Sequence, residues 1–470
     1  MQVPQPPPGQ HDSGSRPGSG GRSIRNGWTE QKVSYESKST DESKSYEGKC
    51  ENEANSRDLD VDEESRPETS NKPPAAKIAF QEAPPKAEHK IVEKASSDTE
   101  GYKRAMWKGK SNILVAVRVR PLSKTEKQRG HRSILEVMDG KVVVVKDPKE
   151  KENASDILRQ NRSREKRYAF DYAFGPGSSS ETVFRNTTEF LIDGVLSGFN
   201  ATVFAYGATG AGKTFTMLGT ETHPGIMFQT LRALFDKSSR IEQDKSQGVE
   251  YRISLSYLEV YNELIRDLLT PSSDYLELRE DPIKGPTVSG ISEISVDSPE
   301  HVMRLLQQGN KRRTQEPTAA NKESSRSHAV LQIIIEQRDS APGAEASVKV
   351  GKLSMIDLAG SERASNTQNR GLRLIEGANI NRSLLALGNC INALGKMKGR
   401  GGYIPYRDSK LTRLLKDSLG GNCRTVMITN VSPASFHFEE TVNSLKYANR
   451  AKDIKTNVKR NVLNVKYHIS

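Results

Sequence analysis

Eight residues, Gly207-Ala208-Thr209-Gly210-Ala211-Gly212-Lys213-Thr214, fit the spacing G-x-x-x-x-G-K-[ST]. Glycines at these positions let successive backbone N–H groups turn inward on an anion. The Lys213 ammonium has the reach for β and γ phosphate oxygens, and the Thr214 hydroxyl suits Mg2+. The chemistry implied is the binding of a nucleoside triphosphate. Context favours this over a glycine-rich surface turn. The apolar run Ala201–Tyr206 ahead reads as a buried strand, and Phe215-Thr216-Met217-Leu218 behind continues a helix whose positive end faces the phosphates.

Hydrolysis needs more: Mg2+ ligands, a placed water and loops that sense the γ-phosphate. In Ser354-Met355-Ile356-Asp357-Leu358-Ala359-Gly360 a carboxylate ends an apolar strand, and the N–H of Gly360 can approach the γ-phosphate. The run Asn321-Lys322-Glu323-Ser324-Ser325-Arg326-Ser327-His328 is dense in hydroxyls and carries one arginine, a composition suited to a magnesium-and-water site. Taken alone, the serines read as turn or cap residues and Asp357 as an ordinary strand-end acid. Taken with the glycine loop, they describe one site.

The elements that must position these residues alternate along the chain. Strand patterns fall at Ile113–Arg120, closed by Pro121, and at Val142–Val145, Val203–Tyr206, Tyr251–Val260, Ala329–Glu336, Lys352–Asp357 and Thr425–Val431. Helical patterns fall at Glu181–Leu196, Pro299–Gly309, Ile380–Leu394 and Ser409–Leu419, the last with Ser409 as its cap. The expected fold is α/β, a central twisted mixed β-sheet flanked by helices on both faces. Between Asp147 and Arg167 the chain is polar and strongly basic, and reads as a long loop.

Composition divides the 470 residues. The first 100 are rich in Pro, Gly, Ser and charge, with 14 Lys+Arg against 19 Asp+Glu, and hold too little apolar surface to offset ordering entropy. The net charge of +12 therefore comes from the body, which suggests a polyanionic partner. Cys50, Cys390 and Cys423 form no metal-ligand spacing and no disulfide framework. No apolar run approaches a membrane span and no signal-peptide core is visible, so a soluble intracellular chain is expected. No DNA-reading module is recognised, which disfavours a nucleic-acid partner for the same charge.

The motifs N-x-x-S-S-R-S-H, D-L-A-G-S-E and G-x-x-x-x-G-K-T, with an early R-x-R-P, resemble the nucleotide-binding signatures of the kinesin motor superfamily and occur in that family's order over roughly residues 105–460. The resemblance implies a motor ATPase using ATP and Mg2+; the guanine-reading N-K-x-D is missing. By resemblance Arg118, Arg120 and Pro121 lie at the adenine, Phe215 stacks on it, and residues 207–214 hold the phosphates. Thr214 and Ser325 would ligate Mg2+, with Asp357 acting through bound water. Ser324 would position waters, Gly360 would sense the γ-phosphate, and Glu362 would pair with Arg326 as a latch and receive the proton at the end of a two-water path.

The partner implied is the microtubule. Gly377–Leu384, including Arg382, resembles the start of the family's tubulin-lying helix, and Tyr406–Arg413 resembles the next tubulin-facing segment. Arg407, Lys410 and Arg413 are spaced to share one helical face, and Lys396, Lys398 and Arg400 lie in the Gly-rich loop between. Any one such charge is ordinarily a solvated surface residue; their sum suits docking on acidic tubulin. Lys452–Val465 resembles a neck linker, with Tyr102–Lys110 as its partner strand.

Segments 155–166, 313–321 and 461–469 look like the kinesin-8 family, especially its cilium- and flagellum-associated branch, whose members typically walk to plus ends and often shorten microtubules there. Arg162, Arg164, Lys166 and Arg167 would contact tubulin at filament ends, a solubilising loop being the competing reading. The division expected is a disordered extension over 1–104, a motor domain over 105–452 and a neck linker over 453–470. The chain stops beyond the linker, so a monomer is expected, with dimerisation left to a coiled coil not present here. The alternative function is a nucleotide-switched microtubule binder that does not move.

Overall fold

The computed structural model describes residues 110–148, 165–244, 248–271, 274–281, 285–313, 325–339, 345–362, 372–396 and 402–466. In chain order the first elements are β1 (Lys110–Asn112), β2 (Leu114–Val119), α1 (Lys124–Gln128), β3 (Leu135–Met138), β4 (Val142–Val145), β5 (Lys166–Ala169) and β6 (Tyr172–Phe174). Next come α2 (Ser180–Thr187), α3 (Glu189–Leu196), β7 (Ala201–Tyr206), α4 (Lys213–Met217), α5 (Ile226–Gln243), β8 (Val249–Tyr261), β9 (Leu264–Asp267), β10 (Glu277–Asp281) and β11 (Gly285–Ser289). Then follow β12 (Ile294–Ser295), α6 (Pro299–Arg313), β13 (His328–Asp339), β14 (Glu345–Asp357) and α7 (Leu372–Lys396). The chain closes with α8 (Lys410–Leu414), α9 (Lys416–Gly420), β15 (Arg424–Val431), α10 (Phe438–Ala451), β16 (Lys455–Asn457) and β17 (Val462–Lys466).

The main sheet runs β12-β8-β13-β14-β7-β15-β2-β6. Its β14, β7, β15, β2 and β6 are parallel neighbours, while β8, β13 and β14 pair antiparallel, so the sheet is mixed as expected. The central strands β2, β7 and β15 are buried along their whole length, which their unbroken apolar runs anticipate. Alternation divides them between two cores. Val203 and Ala205 of β7 pack with Val183, Leu191, Leu231 and Leu306 from α2, α3, α5 and α6. Phe204 and Tyr206, pointing the other way, pack with Leu387, Ile391, Leu411 and Leu445 from α7, α8 and α10. Each large aliphatic side chain buried in this way stabilises by about 1.5–3 kcal/mol.

Some expectations change. The helix expected over Glu181–Leu196 breaks at Thr188, where the backbone leaves helical geometry and Thr187 Oγ1 donates back to the Val183 carbonyl at 2.6 Å. The helix expected over Ser409–Leu419 breaks at Leu415, although Ser409 caps its start as read, accepting from the Leu411 N–H. Arg407 lies in a single 3-10 turn ahead of that cap, so it shares no helical face with Lys410 and Arg413. Lys166 and Arg167 are not in a loop but in β5, which pairs antiparallel with β4 in a separate three-stranded sheet. The extension over 1–104, the segment Tyr102–Gly109, Arg162, Arg164, Ser324, Lys398 and Arg400 lie outside the described residues.

The C-terminal strands are paired. Lys455–Asn457 runs antiparallel to Lys110–Asn112, which is where the partner strand expected at Tyr102–Lys110 ends, and Val462–Lys466 runs antiparallel to Glu345–Lys349 of β14. Ile454 and Val458 are buried beside these pairings.

Candidate nucleotide site and filament face

The glycine loop leaves the C-terminal end of β7 at the middle of the sheet. Gly207 has φ +140°, and a Cβ there would lie 2.1 Å from the Asn430 carbonyl of β15, so no side chain fits. The loop ends at Gly212, φ +98°, which caps a helix of only five residues, α4, shorter than the pattern implied. Lys213 is buried, and its Nζ donates to the carbonyls of Gly207 at 2.9 Å and Ala208 at 3.1 Å. Burial lowers its pKa, while Asp357 and Glu362 nearby act to raise it.

Thr214 Oγ1 donates to Asp357 Oδ2 at 2.8 Å, across the parallel pairing that sets Asp357 beside Ala205. Asp357 is 1% exposed, and its other oxygen, Oδ1, has no hydrogen-bond partner. A buried carboxylate oxygen without a donor, beside a hydroxyl at the mouth of a glycine cradle, fits Mg2+ held through water. Arg313, which ends α6, lies beside this acid, with Nη1 at 3.5 Å from Asp357 Oδ2 and Nε at 3.7 Å from Glu259. Its Nε also donates to Ser327 Oγ at 2.8 Å and its Nη2 to the Ser327 carbonyl at 2.7 Å.

Both sequence segments read as nucleotide-sensing meet here. The Gly360 N–H donates to the Ser325 carbonyl at 2.8 Å, and the Ser361 N–H to the Gly207 carbonyl at 3.1 Å. Glu362 does not pair with Arg326 in this conformation. Its two carboxylate oxygens accept instead from the Thr209 N–H at 2.8 Å and the Thr209 hydroxyl at 2.5 Å, which bridges the third segment onto the crown of the glycine loop.

Beside the loop lies a cavity of about 840 Å3, lined in part by Arg120, Pro121, Gly212, Phe215 and His223. Phe215 presents an exposed ring to it, as a base-stacking residue would. Arg118 stands behind that ring, 5.3 Å from its centroid, 8% exposed and donating to Thr216 Oγ1 at 3.1 Å. Arg120 acts as a brace. Its Nε donates to the Gly210 carbonyl at 2.7 Å, and its two terminal nitrogens grip Glu126 at 2.7 and 2.5 Å. Glu126 also completes a capping box at the start of α1. Glu126, Glu259, Arg313 and Ser327 were not singled out as site residues from sequence, and Thr209 reads there only as part of the phosphate loop, not as the partner of Glu362. The capping pattern Ser123-x-x-Glu126 was a readable signal for one of them.

On the opposite core, the exposed cations expected to meet a filament are distributed over separate elements. Arg382 and Lys396 are exposed on α7, Arg407 is exposed ahead of α8, and Lys410 is half-buried on it. Arg413 is half-buried and donates to the Leu278 carbonyl of β10 at 3.2 Å, so it also holds that hairpin. Lys166 and Arg167 are exposed on β5, with Lys166 5.5 Å from the Phe438 ring. Among the described residues no helix is long and apolar enough to cross a membrane.

Comparison with known proteins agrees with this geometry. The model of the kinesin motor domain matches residues 118–454. Kinesin-like protein KIF19 of Xenopus laevis is 58% identical over 358 residues, 76% of this chain and 35% of its own length. Kinesin-like protein KIN-8B of Arabidopsis thaliana is 51% identical over 361 residues, 77% of this chain and 43% of its own. The chain thus spans well under half the length of these relatives. Among solved structures, a KIF14 dimer in the two-heads-bound state, with AMP-PNP and in complex with a microtubule, aligns with TM-score 0.66 and 37% identity, covering 75% of this chain and 96% of that one. A fast kinesin aligns with TM-score 0.66 and 36% identity, covering 75% and 94%. A glycine loop, two converging segments and this coverage together place the chain in the kinesin motor-domain family, among its kinesin-8 members.

Proposed function

We propose that this chain is a microtubule-stimulated ATPase motor domain, with residues 105–452 as the motor and 453–470 as a neck linker. The observation that carries the proposal is the closed set of contacts Thr214–Asp357, Gly360–Ser325 and Thr209–Glu362, which joins the phosphate loop to both segments able to feel a γ-phosphate. Backbone N–H groups of 207–212 and the Lys213 ammonium bind and orient the triphosphate, while Phe215 and Pro121 receive the base. Thr214 and Ser325 would ligate Mg2+ and Asp357 would act on it through water, and the ion when bound would supply charge neutralisation to a loose phosphoryl-transfer transition state. Ser324 places water, and Glu362 receives the proton at the end of a two-water path. A γ-phosphate that draws the Gly360 N–H from the Ser325 carbonyl breaks the contact between the two sensing segments and so moves them relative to each other.

The activity proposed is plus-end-directed motility with control of microtubule length at filament ends, in the cytoskeleton of spindle, cilium or flagellum. Kinship with kinesin-8 proteins and the exposed cations of α7 and β5, with Arg407 ahead of α8, support it. The test is turnover of ATP and GTP by the whole chain with and without microtubules, while filament length is followed. ATP turnover stimulated by microtubules is expected. Binding without stimulated turnover would reduce the chain to a nucleotide-switched binder.

A further inference from the structure

His328 opens β13 directly after the nucleotide-sensing segment and is 2% exposed. Its Nδ1 accepts from the Ala359 backbone N–H at 3.0 Å, and its Nε2 lies 2.9 Å from the Ser383 hydroxyl, within α7. A backbone N–H can only donate, so Nδ1 is the unprotonated nitrogen and Nε2–H donates to Ser383 Oγ. Burial, helped by Arg313 and Lys213, pushes the ring's pKa down to about 3, so this neutral tautomer persists at neutral pH.

The ring is held from both sides. Arg313 clamps Ser327, the preceding residue, through its hydroxyl and carbonyl. Ala359 precedes Gly360, whose N–H is bonded to the Ser325 carbonyl. Ser383 is 3% exposed, whereas its neighbours Arg382 and Leu385, the latter 58% exposed, lie on the solvent side of the same helix. The imidazole is therefore a stiff spacer between the backbone that senses phosphate and the helix proposed to lie on the filament. Movement of residues 358–360 must either draw α7 along or leave buried polar groups unpaired.

We infer that His328 is a positioning residue that couples the Asp357–Gly360 segment to the seating of α7 through Ser383, and so couples nucleotide state to filament affinity. The inference rests on the motor reading given above.

The experiment uses the whole chain and Ser383→Ala, a change remote from the glycine loop. Microtubule affinity is measured by co-sedimentation with ADP and with AMP-PNP, beside turnover without microtubules and thermal melting. Unchanged turnover without filaments is expected, with the ratio of the two affinities reduced about five- to tenfold, as for loss of one buried hydrogen bond. Ser383→Thr, which keeps the hydroxyl, should restore most of the ratio. His328→Ala should give a similar reduction, and the double variant should lose no more than either single one. An unchanged ratio in Ser383→Ala, even with a lowered melting temperature, overturns the inference, as do additive losses in the double variant. Equal affinities of the unsubstituted chain in both nucleotides would instead defeat the motor reading, and that result appears without any substitution.

Discussion

Thr214 Oγ1 and Asp357 Oδ2 lie 2.8 Å apart, joining the last residue of the G-x-x-x-x-G-K-T motif, in α4, to the acid that ends β14. Asp357 Oδ1 is buried and unpartnered, so the pair holds one acceptor ready for a water of the metal shell. Asp357→Asn is expected to weaken Mg2+-dependent nucleotide affinity by about 10–100-fold. Nucleotide binding in a chelator should change little, and titrating Mg2+ against a fluorescent ATP analogue separates the two.

Glu362 is tied to Thr209 through both oxygens, so it reaches the crown of the glycine loop without help from Arg326. If its carboxylate takes the proton of the attacking water, Glu362→Gln should slow the chemical step by about 10²–10⁴-fold. ATP affinity should stay within a few-fold. Single-turnover measurements distinguish these; a parallel collapse of affinity would mean that Glu362 only shapes the loop.

The Glu126 carboxyl is held down to about 2 from 4.5, chiefly by hydrogen bonding to Arg120, with Ser123 assisting. Its folded value lies below the unfolded one, so the unfolded chain binds more protons between them. The stabilisation is then complete above about pH 4.5 and fades as pH falls toward about 2. Glu126→Gln should cost about 1–3 kcal/mol near pH 7. Urea unfolding at pH 7 and pH 3 should show the difference from the unsubstituted chain narrowing at the lower pH. Because Arg120 also holds the Gly210 carbonyl, ATP affinity should fall as well.

Asn461 fixes the chain between its two paired strands. Its side chain donates to Asn200 Oδ1 at 2.8 Å and the Val350 carbonyl at 3.1 Å and accepts from Asn422 at 3.0 Å, while its own N–H reaches the Gly198 carbonyl at 2.9 Å. Asn461→Ala removes three side-chain hydrogen bonds, each contributing about 0.5–1.5 kcal/mol. Hydrogen exchange in the β14·β17 pairing should accelerate about a hundredfold, with β7 unaffected. Unaltered exchange would show that strand pairing alone holds the segment.

The glycine loop, Asp357 and the central strands were legible because their signals are local. The loop's chemistry lies in a contiguous spacing, and strands buried on both faces must be apolar throughout. Helix lengths were less legible. Thr188 and Leu415 break patterns whose periodicity runs on, because tertiary packing chose where each helix turned. Lys166 and Arg167 read as loop because charge dominated the segment, whereas pairing with β4 made them strand.

The sequence alone determined that a triphosphate site sits on an α/β sheet with a basic body, since residue type and spacing suffice for a phosphate cradle and for burial. It did not determine the partners of the acids and bases around that cradle. Glu362 with Thr209, Arg120 with Ser432, and His328 with Ser383 join residues 153, 312 and 55 positions apart. Each side chain had several partners of suitable chemistry along the chain. Only sheet register and helix packing, which bring one within hydrogen-bond distance and remove the others, made the choice.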